Sequence, residues 1–198
     1  MIHGWSVHLA QYLGTELNLD HRKVAVVAYG LEVIIGALIK LAVFVLVPSI
    51  LGVFKLFAFA LISSAILRLP SGGVHNNAYY KCLLSTLTFF LIIAFTAKGL
   101  AVYPLPLNVF AFLILLLAFL VFIKLAPVDN QEKPIKSEAR RKRLKFISCS
   151  LLVGYGVIFF LWSPEQDIML AFLLAVLFHT FTLTKMGHAL FKAIDNLI

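Results

Sequence analysis

A chain of 198 residues that is 62% hydrophobic and only 13% charged lies outside the range of soluble domains, which run about half apolar and a quarter charged. Its net charge of +8 does not point to nucleic acid, because the lysines and arginines fall in short blocks between apolar runs, a membrane-surface pattern. Two cysteines, Cys82 and Cys149, with several apolar runs between and around them, do not make a disulfide framework.

From the N-terminus, Trp5, Leu9, Tyr12, Leu13 and Leu17 recur at helical spacing with His8, Gln11 and Glu16 between them, which predicts an amphipathic interfacial helix within residues 1–20. This stretch lacks the basic start and apolar run of a secretory signal, so insertion is expected to rely on the spans. The first span runs from Val24 to Val47, apolar apart from Glu32 and Lys40, and Pro48 is expected to end it. Further spans follow at residues 49–67, at 79–97, from Leu107 to Ala126, from Phe146 to Trp162 and from Ile168 to Met186. The expected fold class is an all-α polytopic membrane protein, with about six transmembrane helices at about 20 residues each. They form a single domain over 1–198, with a catalytic loop at 68–82 and a basic loop at 127–145.

Orientation follows from the cations. Lys133, Lys136, Arg140, Arg141, Lys142, Arg143 and Lys145 crowd into the segment before the fifth span, which the positive-inside rule makes cytoplasmic. Threading six spans from that anchor puts Arg22, Lys23, Arg68, Lys81, Lys185 and Lys192 on the same side, with Lys98 as the exception. Both termini are then expected in the cytoplasm.

The stretch RLPSGGVHNNAYYKC, residues 68–82, stands apart from the apolar chain around it. Pro70, Gly72 and Gly73 disfavour a regular helix through 70–73, and Asn76 or Asn77 is suited to cap the helix that follows. Cys82 then sits near a helix N-terminus beside Lys81, where a thiol ionises more readily than in free solution. On one continuous helix His75 and Cys82 would be separated by roughly 10 Å along the axis, so a dyad requires the glycine turn to fold His75 back. Contact at about 2.6–3.2 Å lets an imidazole take the thiol proton and return it to a leaving group. The residue types alone fit packing at a helix end as well as they fit this dyad. No paired CxxC or HxxxH spacing calls for a metal, and no P-loop pattern calls for a nucleotide.

The same fifteen-residue stretch resembles the signature of the accessory gene regulator B (AgrB) family of bacterial membrane cysteine endopeptidases: an arginine, a glycine-rich turn, a histidine and, seven residues later, a cysteine. APVDNQEKPI, residues 126–135, is similar to that family's loop after its fourth span. With YGLEVIIGALIK in the first span and the amphipathic start, the resemblance covers nearly the whole chain. It implies conversion of a small amphipathic pro-peptide into a cyclic quorum-sensing signal at the bacterial cytoplasmic membrane, with Cys82 as nucleophile and His75 as its base. The expected partners are that peptide and the lipid bilayer, with a homodimer as one option; neither nucleic acid nor a cofactor is called for.

Around the dyad, Arg68 is suited to hold the substrate backbone, a carboxylate or the developing oxyanion, and equally to mark the cytoplasmic end of its span. Gly72 and Gly73 shape the turn and offer backbone N–H groups, while Asn76 could orient His75 or cap. Glu32, an intramembrane carboxylate, could orient His75 or form an ion pair with Lys40 or Lys55. The competing function class is a small transporter or assembly subunit, in which Glu32, Lys40, Lys55 and His179 would converge on a midplane cavity. Cys149, in an apolar run, is expected to be inert.

Overall fold

The computed structural model describes residues 2–74, 78–129, 135–162 and 164–197. They form eight helices: α1 (Ile2–Glu16), α2 (His21–Ile50), α3 (Phe54–Ser71), α4 (Tyr79–Leu100), α5 (Leu107–Leu125), α6 (Glu138–Leu161), α7 (Gln166–Thr182) and α8 (Lys185–Leu197). Helices α2 to α6 are each long and apolar enough to cross a membrane, and α7 with α8, bent by 85° at their junction, make a sixth span if taken together. The chain is an all-helical polytopic membrane protein, as its composition requires: in lipid, only an element that satisfies its own backbone can leave so much apolar surface exposed.

Two compact units divide the chain, Met1–Ile50 and Leu51–Ile198. In the first, α1 packs on α2 through Ser6, Ala10 and Gly14, all buried and spaced four residues apart on one face. A Cβ on Gly14 would come within 2.5 Å of a Val24 methyl. Small residues allow this approach, the usual device where lipid removes the hydrophobic drive between helices. The large stripe of Trp5, Leu9, Tyr12 and Leu17 is exposed, the surface an interfacial helix would sink into lipid.

Asp20 starts α2 by accepting a 2.8 Å bond from the Lys23 N–H, three residues before the expected start. Pro48 does not end it: the helix runs two residues further, to Ile50. Ser49 Oγ donates to the Val45 carbonyl there.

In the second unit α7 is the most buried helix, packed against α3, α4, α5 and α8. Side-chain contacts fix the helix directions. Lys55 near the start of α3 pairs at 2.5 Å with Glu165 at the start of α7, and Ser71 at the end of α3 meets His179 near the end of α7, so the two run parallel. Phe122, late in α5, also packs on His179. Tyr155 and Trp162 of α6 meet Ser63 and Phe59 of α3 in reverse order, so α6 runs the other way. So does α4, whose Lys81 reaches the Asp195 carbonyl of α8 while Lys98 reaches the Gly52 carbonyl at the far end. Alternating direction is what six-span threading predicts for this part of the chain.

Other boundaries also differ from expectation. The second span starts at Phe54 and extends through Pro70 to Ser71. The fifth begins at Glu138, not Phe146, so Arg140 to Lys145 are helical and not loop. Ser137 accepts the Arg140 N–H as N-cap, and Glu138 follows in the first turn, where a carboxylate suits the helix dipole.

Replacing Gly14 with leucine is expected to destabilise the protein by about 1–3 kcal/mol through overpacking against Val24. Gly4→Leu, where no atom lies within 4 Å, should change little. Thermal unfolding in detergent, followed by helical circular dichroism, checks both.

Candidate functional site

The site begins where α3 stops. Gly72 and Gly73 both have positive φ, 73° and 130°, a region that side chains with a Cβ rarely enter. The Gly72 N–H donates to the Arg68 carbonyl at 2.9 Å, closing the helix. Next to it the Val128 N–H donates to the Ser71 carbonyl at 2.9 Å, giving an isolated parallel bridge between Gly72 and Val128. A Cβ on Gly72 would collide with the Val128 carbonyl. The two sequence stretches that stood out, 68–82 and 126–135, therefore meet at this point, and Asp129 continues the link by pairing with Arg141 of α6.

Beyond the glycines, the Arg68 guanidinium turns back and donates to the Val74 carbonyl. Arg68, Val74, Cys82, Thr86, Phe89 and Phe191 are among the residues lining a cavity of about 130 Å³. Cys82 is the fourth residue of α4, partly buried, and its N–H donates to the Ala78 carbonyl at 3.0 Å. Its sulfur lies 4.0 Å from Thr86 Oγ1, and Arg68 lines the same cavity. Lys81, expected beside the thiol, is instead held by the Asp195 carbonyl. The N-cap of α4 falls on Ala78, which has no side-chain oxygen.

The other expected residues separate. Arg68 and Cys82 share the cavity, and the glycines form the turn beside Arg68. His75 and Asn76, like Asn77, lie outside the described residues. Glu32 accepts a 2.9 Å bond from His3 Nδ1 of α1, while Lys55 pairs with Glu165. Cys149 packs against the apolar cluster of Leu67, Phe122, Leu152 and Val176. Among the described residues no three His, Cys, Asp or Glu side chains converge as metal ligands would.

Sequence reasoning missed α8 as a wall of the cavity. Gly187 and Phe191, four apart, face inward, and the Phe191 ring packs on Phe89 and Phe178 at 5.6 and 6.4 Å between centroids. The signal was present as an amphipathic period after the bend at Leu183 and Thr184, hidden by assigning residues up to Met186 to the last span.

Comparison with known proteins found both a family model and individual relatives. The model of the Accessory gene regulator B family matches residues 6–183, which end just before α8. An AgrB-like protein of Clostridium perfringens (strain SM101) is 28% identical over 99% of this chain and 97% of its own length. Accessory gene regulator protein B of Staphylococcus aureus (strain MRSA252) is 27% identical over 78% of this chain and 81% of its own. No solved structure gives a significant match.

Gly72→Ala is expected to cost about 1–3 kcal/mol, from its backbone conformation together with the Val128 collision. Gly154→Ala, in open space within α6, should instead gain up to about 1 kcal/mol from helix propensity. Unfolding midpoints of the two variants test the contrast.

Proposed function

Since the chain belongs to the Accessory gene regulator B family, we propose that it is a membrane cysteine endopeptidase that trims and cyclises a small signalling pro-peptide. The observation that carries this reading is the cavity in which the Cys82 thiol and the Arg68 guanidinium share one wall. His75 follows Val74, another residue of that wall, and covalent geometry keeps consecutive Cα atoms about 3.8 Å apart.

In the proposed reaction His75 takes the thiol proton and the Cys82 sulfur attacks a carbonyl near the precursor's C-terminus. Arg68 is suited to the developing oxyanion, since a held guanidinium needs no reorganisation at that moment. The Gly72 N–H, expected as a further donor, is already used by the Arg68 carbonyl. The C–N bond then breaks, His75 protonates the departing amine, and the acyl group stays on sulfur as a thioester. A cysteine or serine inside the precursor attacks that thioester, forming a thiolactone or lactone and releasing Cys82. The aromatic walls of Phe89, Phe90, Phe178 and Phe191 limit water, so that ring closure competes with hydrolysis.

The end of the helices that bears Cys82 also bears Lys81, Lys185 and the basic first turns of α6, whereas Glu165 and Asp167 lie at the opposite end. That asymmetry supports a cytoplasmic active site, where a freshly made precursor would meet it. It also weighs against a transporter. Lys55 and His179 belong to opposite ends of two parallel helices, roughly 24 Å apart at 1.5 Å per residue, and do not converge on a midplane site.

Cys82→Ala is expected to abolish tail removal from a candidate precursor, and Cys149→Ala to leave it intact. His75→Ala should lower the rate by about 10²–10⁴-fold, the usual worth of a general base. Mass spectrometry of the peptide after incubation with the protein in lipid measures all three. Equal loss in both cysteine variants would overturn the assignment.

A further inference from the structure

His179 is fully buried in α7, where the sequence favours a packing role. Its surroundings do not fit that role. Ser71 Oγ donates its proton to the Leu67 carbonyl at 2.7 Å, so the 2.8 Å contact between Ser71 Oγ and His179 Nε2 is a bond donated by the ring nitrogen. Nδ1 is then the acceptor nitrogen, and it has no partner among the described residues. A buried polar atom left in this state costs stability. An apolar residue would fill the space beside Phe122 without that cost, so packing alone does not account for an imidazole here.

What the ring does hold is the turn. Its Nε2–H fixes Ser71, whose carbonyl receives the Val128 N–H. Two residues on, Gly73 lies against Thr182, to which an added Cβ would approach within 3.2 Å; Thr182 in turn donates to the His179 carbonyl at 2.7 Å. One residue further, Val74 is tied to Arg68 at the cavity wall. His179 does not itself line the cavity, so it touches neither the thiol nor a substrate placed there.

We propose that His179 is a positioning residue for the reaction at Cys82: it holds the Ser71–Val74 turn, and with it the backbone leading into His75, at a set height beside the thiol. This rests on the reading of Cys82 and His75 as nucleophile and base. A misplacement of about 1 Å is enough to cost about 10²-fold in such a pair.

The test uses the full chain in lipid vesicles with Cys149→Ala, so that Cys82 is the single thiol, and iodoacetamide at one fixed pH as the probe. Arg68 and Lys81 are unchanged throughout, so their charges contribute equally to every variant. His75→Ala should slow alkylation, and His179→Leu should slow it comparably. His179→Gln, which keeps an N–H near the position of Nε2, should restore most of the rate, a rescue that loss of packing or of proton transfer would not show. Ser71→Ala, which removes the acceptor together with the Oγ–H bond to the Leu67 carbonyl, should match His179→Leu and carries the test if the leucine variant does not fold. Normal alkylation in folded His179→Leu or Ser71→Ala, with His75→Ala slow, overturns the positioning role and leaves the dyad standing. A glutamine variant as slow as leucine also overturns it. Normal alkylation in His75→Ala removes the dyad itself, and the positioning role with it.

Discussion

The geometry around Cys82 depends on one close approach: the bare Cα of Gly72 against the carbonyl of Val128. Because no side chain intervenes, the Val128 N–H reaches the Ser71 carbonyl and the end of α3 is joined to the segment that follows α5. Two stretches more than fifty residues apart in the chain become one surface. From that contact the path runs one way through Asp129 to the basic start of α6, and the other through Gly73 and Val74 to the cavity wall. A Cβ at this point would separate all of them.

The rest of the molecule is held by different means at different depths. Between apolar helices in lipid there is no water to expel, so association relies on shape and on sparse polar bonds. In the first unit, shape dominates, through Ser6, Ala10 and Gly14 under α2. In the second, aromatic rings fill the space between α4, α7 and α8, with Phe89 and Phe178 4.8 Å apart, while polar ties gather toward the helix ends. Tyr155, which donates to the Ser63 carbonyl at 2.9 Å, is the tie nearest the middle. Cys82 sits at the junction of these regimes, with phenylalanines on one side and a guanidinium on the other.

Much of this was legible beforehand because a bilayer is a strict solvent. A helix long enough to cross announces itself by apolar length, so α2 to α6 were found. The glycine pair and Cys82 draw attention in the sequence because polar and flexible residues are conspicuous in such a chain. The errors share one cause: local propensity was trusted at helix ends, where context decides. Pro48 and Pro70 read as breaks in the sequence, yet each helix runs one or two residues past its proline. The basic run before Phe146 was read as loop although charge does not prevent helix beyond the lipid. Lys81 stands beside Cys82 in the sequence, yet its ammonium reaches the Asp195 carbonyl of α8, whereas Arg68, fourteen positions earlier, shares the cavity with the thiol. Glu32 and His179 were flagged as costly groups in an apolar setting, yet their partners, His3 and Ser71, could not be read from spacing, because those contacts join separate helices.

The two ties between α3 and α7 have a mechanical consequence. An exposed pair such as Lys55 with Glu165 adds little stability by itself, but together with Ser71 and His179 it pins two parallel rods at both ends. Sliding one past the other by a single turn, about 5.4 Å, would break both pins at once. Between α4 and α8 the contacts are of another kind, ring faces such as Phe89 on Phe191 and the Lys81 bond to the Asp195 carbonyl, which constrain sliding less than paired ends do.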